Sequence, residues 1–172
     1  FIKYYNINYI QEVMKPKVLF VIFGIQPGGL ELYLYRFLEF TKGKINANVF
    51  CRYNKYDTIL YNDYIDTGAT ITIQPLNYFN PVSLFKFYFF LRKNKFDSVC
   101  DFSGNFAGVT LFISKLAGIK RRITFYRESK YQFITTYRKE LFLWGLKKLL
   151  KISATKYLSN SKEAFNNFQP NW

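Results

Sequence analysis

The chain has 172 residues, enough for one ordinary domain with its core and too few for two. Apolar residues make up 49% and aromatics 22%, which excludes a disordered or low-complexity chain, and the absence of histidine excludes imidazole base catalysis, a Ser-His-Asp triad and His-metal sites. The formal net charge of +14 points to an anionic partner or surface, or else to the lysine bias of an AT-rich genome.

Taken in order, residues 1–14 are polar-aromatic and patternless, and Met14 is a candidate start, so this tail is expected to be non-native or disordered. The segment 17–24 is a continuous apolar run rich in Val, Ile and Phe, which suits a parallel strand buried on both faces. Leu30, Tyr33, Leu34, Phe37 and Leu38 then recur at helical spacing and are expected to lie back on the sheet. Gly28 and Gly29 between them allow a sharp turn whose N–H groups meet an anion at the positive end of the helix dipole. The spacing Gly24-x-x-x-Gly28-Gly29 is not the G-x-G-x-x-G of a dinucleotide site, so NAD binding is unsupported, and the turn reads either as a phosphate seat or as a ligand-free glycine turn.

Gly43 stops the first helix, 47–53 reads as a second strand, 56–66 as a short helix and 70–74 as a third strand closed by Pro75. Asn80-Pro81 starts a helix that continues through Leu84, Phe87, Tyr88 and Leu91, with Asn as cap and Pro in the first turn. A fourth strand over 96–102 leads into the turn Ser103-Gly104-Asn105 and a helix over 106–116 ended by Gly118. A fifth strand over 121–126 carries Arg127, Glu128 and Ser129 at its carboxyl end. A long helix over 135–152, a sixth strand over 154–158 and a last helix capped by Ser161 and stopped by Pro170 complete the pattern.

This alternation implies right-handed βαβ crossovers and an α/β fold, a Rossmann-like, doubly wound, mostly parallel sheet of about six or more strands with helices on both faces. A strand order of 3-2-1-4-5-6 would place the topological switch between the first and fourth strands, with Gly28-Gly29 and Ser103-Gly104-Asn105 facing one crevice.

Cys51 and Cys100 stand near strand ends and fit small buried hydrophobes of a reducing compartment; no metal-ligand spacing exists. Residues 101–156 hold twelve Lys or Arg against Asp101, Glu128 and Glu140, so the second half is the basic half. No apolar run reaches the length of a membrane-spanning helix, and no signal-peptide pattern opens the chain, so a cytoplasmic location is expected. An anionic membrane surface is a candidate partner through 137–152, giving peripheral attachment to the inner face of the cell membrane. A basic nucleic-acid module is the competing binding function, but most aromatics fall at core positions and no nucleic-acid-binding motif is visible, so no nucleic acid is expected.

Lys17-Val-Leu-Phe-Val-Ile with Gly28-Gly-Leu-Glu31, Phe96-Asp-Ser-Val with its glycine turn, Leu116-Ala-Gly-Ile-Lys-Arg-Arg-Ile123, and Ala154-Thr-Lys-Tyr-Leu-Ser-Asn-Ser-Lys-Glu-Ala164 occur in that order. Together they resemble the N-terminal domain of a GT-B glycosyltransferase of family 4, group 1, over residues 15–169. The resemblance implies that this domain holds a glycan or lipid-linked acceptor while Gly28 and Gly29 meet the phosphates of a nucleotide-sugar. It further implies a C-terminal donor-binding domain absent from this chain, so the chain alone is expected to be an inactive half of an enzyme of cell-surface polysaccharide or glycoconjugate synthesis. A retaining mechanism is expected, with the nucleotide-sugar as substrate and neither cofactor nor metal. A non-catalytic assembly or partner subunit is the alternative.

Many such relatives carry histidines after the fourth or fifth strand, whereas here those places read Cys100-Asp-Phe-Ser and Phe125-Tyr-Arg-Glu-Ser129. Any base is then a carboxylate or the substrate itself, which makes Asp101 and Glu128 the candidate catalytic groups. Glu31, Ser103, Gly104, Asn105, Arg127 and Ser129 are the candidate substrate contacts. Each has a plainer role open to it: Glu31 as a dipole partner in the first helical turn, Asp101 as an acceptor for a neighbouring turn, Arg127 with Glu128 as an ion pair.

Overall fold

The computed structural model describes residues 15–126, 137–162 and 166. The tail 1–14, the triplet Arg127, Glu128 and Ser129, and the last expected helix with Glu163, Ala164, Phe168 and Pro170 lie outside the described residues.

Among the described residues, six parallel strands form one sheet: β1 (Lys17–Ile22), β2 (Asn46–Cys51), β3 (Thr70–Ile73), β4 (Ser98–Asp101), β5 (Arg121–Tyr126) and β6 (Lys156–Ser159). Their order is β3-β2-β1-β4-β5-β6, so β1 lies mid-sheet between β2 and β4 and the order reverses there. Helices α1 (Gly29–Thr41), α2 (Thr58–Asp66), α3 (Pro81–Asn94), α4 (Ala107–Leu116) and α5 (Tyr137–Ser153) make the crossovers.

Side-chain alternation along β1 divides the core into two layers. Phe20 and Ile22 pack with Leu30, Leu34 and Leu38 of α1 and with Leu60 and Tyr64 of α2. Leu19 and Val21 pack on the other face with Phe87 and Leu91 of α3, Leu111 of α4 and Leu150 of α5. A strand covered on both faces is apolar wherever it is covered, which is why β1 shows no polar alternation from Val18 to Ile22.

The helix starts follow from local chemistry. The Asn80 side chain accepts from the N–H groups of Val82 and Ser83 at 3.0 and 3.4 Å, with Pro81 at the first helical position, and Asp57 accepts from Leu60 N–H at 3.0 Å. The stripe of α1 is narrower than its spacing suggests: Leu30, Leu34 and Leu38 are buried, whereas Tyr33 and Phe37 are partly exposed. Their rings edge core rings, Tyr33 at 5.5 Å from Phe125 of β5 and Phe37 at 5.7 Å from Phe20 of β1, so they flank the core instead of filling it.

Not all of the positive charge is available to a partner. Arg122 donates through Nε to the Ser153 carbonyl at 2.6 Å and Lys115 through Nζ to the Ile152 carbonyl at 2.8 Å, placing two cations at the negative end of α5.

Candidate functional site

In a doubly wound sheet, the loops that leave the carboxyl ends of the strands on either side of the order reversal go to opposite faces and open a crevice between them. Here those loops are 23–28 after β1 and 102–106 after β4. A cleft of about 320 Å³ lined by Arg92, Lys95, Phe96 and Gly118 lies at the opposite, amino end of the sheet, away from both.

Gly28 is the N-cap of α1 and Gly29 its first residue, and among the described residues no side chain accepts a hydrogen bond from the N–H groups of this helix end. The first intrahelical bond runs from Leu32 N–H to the Gly28 carbonyl at 2.9 Å, which leaves the earlier N–H groups directed at the crevice end. The Glu31 carboxylate folds back over Gly28, where a Cβ on Gly28 would meet its Oε2. It therefore stands over the positive end of the dipole, the same place an anionic ligand would take. Tyr64 fixes this turn by donating to the Glu31 carbonyl at 2.7 Å. Gly24 serves a close backbone approach instead. A Cβ there would lie 2.5 Å from the Lys55 carbonyl, because the chain past β1 continues to pair with the chain past β2 at Ile25 and Tyr56.

Across the crevice, Asp101 ends β4 with no exposed surface. Its carboxylate accepts from Ser103 N–H at 2.8 Å and from the hydroxyls of Ser103 and Thr110. Three chain donors thus converge on one carboxylate and fix the turn into a short 3-10 segment, Gly104–Phe106, ahead of α4. Gly104 holds φ +58°, a left-handed value that suits glycine, and a Cβ there would press on the Tyr126 ring at 3.2 Å. Its carbonyl accepts from Thr124 Oγ1 at 3.0 Å. Asn105, only 3% exposed, accepts from the Tyr126 hydroxyl at 2.8 Å.

The residue that sequence reasoning misses is Arg52. It follows β2, is 4% exposed, and donates through Nη1 to Ser103 Oγ at 3.2 Å. Its guanidinium carbon lies 4.3 Å from the centre of the Tyr78 ring and 5.0 Å from that of Phe23, so the cation is held between two aromatic faces. Tyr78 in turn donates to the Phe106 carbonyl at 2.7 Å. Burial pushes the Tyr78 hydroxyl far up, with the neighbouring Arg52 charge pulling it back, so Tyr78 stays a protonated donor at neutral pH. The chain therefore runs Arg52, Ser103, Asp101, Thr110, joining the ends of β2 and β4 beneath the crevice. A signal exists in the sequence: Arg52 stands two residues past Phe50, at the carboxyl end of a core strand where ligand contacts concentrate.

The cysteines are inert by environment: burial pushes the Cys51 thiol up to about 12, with Glu31 adding to it, and raises Cys100 further.

These features define the class: a Rossmann-like sheet of six parallel strands that matches the N-terminal half of GT-B glycosyltransferases. HepE of Anabaena, solved with UDP and glucose, superposes with a TM-score of 0.67 at 14% identity, over 90% of this chain and 41% of that one. The lipopolysaccharide outer core galactosyltransferase WaaB gives 0.59 at 14%, over 90% and 42%, and MurG of Acinetobacter baumannii gives 0.57 at 13%, over 87% and 42%. At these identities the likeness is one of fold, and the chain spans about two fifths of each of these proteins. No family model matches the chain, and no curated protein sequence matches it.

Proposed function

We propose that this chain is the acceptor-holding half of a glycosyltransferase that moves a sugar from a nucleotide-sugar, with retention, to a glycan or lipid-linked acceptor of the cell surface. The observation that carries the reading is the glycine-capped N-terminus of α1, with Glu31 folded over it, at the carboxyl edge of the order reversal, in a sheet shared with a protein that binds UDP-glucose. Gly28 and Gly29 would give their N–H groups to the donor diphosphate. Glu31 would then swing off the helix end, where two anions repel, and accept a sugar hydroxyl. Asp101 is a positioning group, since its carboxylate is buried and already engaged by Ser103 and Thr110. The base role falls to Glu128 or to the departing phosphate, with Arg127, Ser129 and the 103–105 turn around the acceptor.

The test is a UDP-glucose titration of the full-length protein against its Gly29→Val variant. Donor affinity should fall at least about tenfold with the melting temperature nearly unchanged, because Gly29 is exposed at a helix start. Equal affinity in the two proteins would overturn the assignment of this turn.

The acceptor reading extends to a membrane surface. No described helix is long and apolar enough to cross a bilayer. On the α3–α5 face, however, Val82, Phe85 and Phe89 are exposed along α3, and Leu141, Trp144 and Ile152 along α5. Lys86, Arg92 and Lys93 flank the first stripe and Lys147, Lys148 and Lys151 the second, and the ring of Phe79, just ahead of α3, meets that of Phe142 of α5 at 5.4 Å. Aromatics beside cations suit an anionic interface. The protein should cosediment with phosphatidylserine vesicles at low salt and release at high salt, and a Phe85→Asp, Trp144→Asp double variant should stay in the supernatant. Cosedimentation by the variant equal to that of the parent would remove the surface from the proposal.

A further inference from the structure

The Arg52 side chain spends one of its donors on Ser103 and makes no other hydrogen bond among the described residues, and its Nε is buried without a partner. Because Nη1 is the nitrogen in use, the unpaired donors Nε and Nη2 are those of one edge of the guanidinium, the edge that grips a carboxylate or phosphate with two parallel hydrogen bonds. Among the described residues, no carboxylate forms an ion pair with this cation. The neighbouring strand repeats the situation. Gln74 stands one residue past β3, its backbone N–H donating to the Cys51 carbonyl at 3.1 Å and Leu76 N–H donating to the Arg52 carbonyl at 3.2 Å, so the ladder that ends at Cys51 and Ile73 continues to Arg52 and Gln74. Its Nε2 is also buried with no partner among the described residues. Two adjacent strand ends thus present donors that lack an acceptor.

A buried N–H of a cation left unpaired is costly, so the retention of Arg52 Nε in this state needs an explanation. A water could serve one donor but not the charge. An oxyanion serves both: it has lone pairs enough for the Arg52 edge and the Gln74 amide, and it neutralises the guanidinium. The surroundings are arranged for that role. Tyr78 and Phe23 hold the plane of the guanidinium, and the carboxylate nearest along the hydrogen-bond chain, Asp101, is engaged by Ser103 and Thr110.

We propose that Arg52, with Gln74 beside it, is an oxyanion receptor on the floor of the crevice, so that the substrate held on the β2–β3 side carries a phosphate or carboxylate group. The receptor sits on the α3 face of the sheet, whereas the α1 N-terminus lies toward the other face, which gives the crevice two anion seats. The inference rests on the reading of this crevice as a substrate cleft and specifies the acceptor's charge.

The test measures anion binding directly. The full-length protein, Arg52→Met and Arg52→Lys are each melted in chloride, in inorganic phosphate at the same ionic strength, and in glucuronate, with glucose as the neutral control. Phosphate or glucuronate should raise the melting temperature of the parent in a saturable way, and the apparent affinity should fall at least about tenfold in Arg52→Met and in Arg52→Lys, which keeps the charge and loses the fork. In chloride, Arg52→Met should melt no lower than the parent, since an apolar side chain removes an uncompensated buried charge. A response that is absent from the parent, or undiminished in both variants, overturns the receptor. UDP-glucose binding is measured alongside: its loss in Arg52→Met with no phosphate or glucuronate response in the parent would assign Arg52 to the donor and also overturn the proposal. Donor turnover that persists while the receptor fails leaves the glycosyltransferase reading standing, and an Arg52-dependent phosphate response without donor binding refutes that reading alone.

Discussion

Gly108→Ala is expected to destabilise the protein by about 2–3 kcal/mol, or roughly 5–10 °C in melting temperature, although alanine is the better helix former. Gly108 lies in the second position of α4, and a Cβ built there meets the carbonyl oxygen of Leu146 in α5, with the carbonyl carbon at 3.2 Å and Cα at 3.4 Å. The obstacle is helix backbone, not the end of a flexible side chain. Leu146 and Leu150 are buried beneath it, so α5 cannot back away without opening the core beside Leu111. Gly145 provides the control. It is inside α5 with nothing among the described residues within 4 Å of its Cβ position, so Gly145→Ala should raise stability by about 0.5–1 kcal/mol through helix propensity alone. Opposite signs for two glycine-to-alanine changes on touching helices establish close backbone approach as the cause. A stabilised Gly108→Ala would show that α5 has room to move.

The fold is legible in the sequence because its signals are local and repeated. The unbroken apolar run of β1 can be satisfied only mid-sheet, Asn80-Pro81 marks a helix start by its own chemistry, and right-handed crossovers leave few ways to order six parallel strands. The turn 103–105 is legible as a site segment for the same reason, since it follows a strand at the order reversal. What periodicity cannot supply is the neighbour across a crossover. Tyr33 and Phe37 share spacing with Leu34 and Leu38, yet they stay partly exposed, and only the packing against Phe125 and Phe20 shows which core rings they edge. Arg52 is the sharper case. Its place past a core strand marks it as a site position, but that its cation turns inward depends on Ser103, Tyr78 and Phe23, which three separate loops bring to it. Asp101 stands out in the sequence for its position at a strand end; that its carboxylate is consumed by Ser103 and Thr110 is visible only with α4 in place.

That consumption makes Asp101 the most sensitive polar position of the crevice. Asp101→Ala should cost about 3–5 kcal/mol, because it strands the Ser103 N–H and leaves two hydroxyls without their strongest acceptor inside a closed layer. Asp101→Asn should cost about 1–3 kcal/mol, since the amide keeps one acceptor but turns an NH₂ toward a hydroxyl that was donating. The Asn variant also removes the negative charge that reaches Arg52 through Ser103. The guanidinium is then buried with even less compensation, and replacing it should help: in the Asp101→Asn background, Arg52→Met is expected to stabilise by about 1 kcal/mol more than it does in the parent. Denaturant unfolding of the four proteins closes this cycle, with unchanged m-values as the check that each unfolds from the same compact state. Additive effects would mean that Ser103 carries no electrostatic communication between the two charges, and that Asp101 serves only the turn.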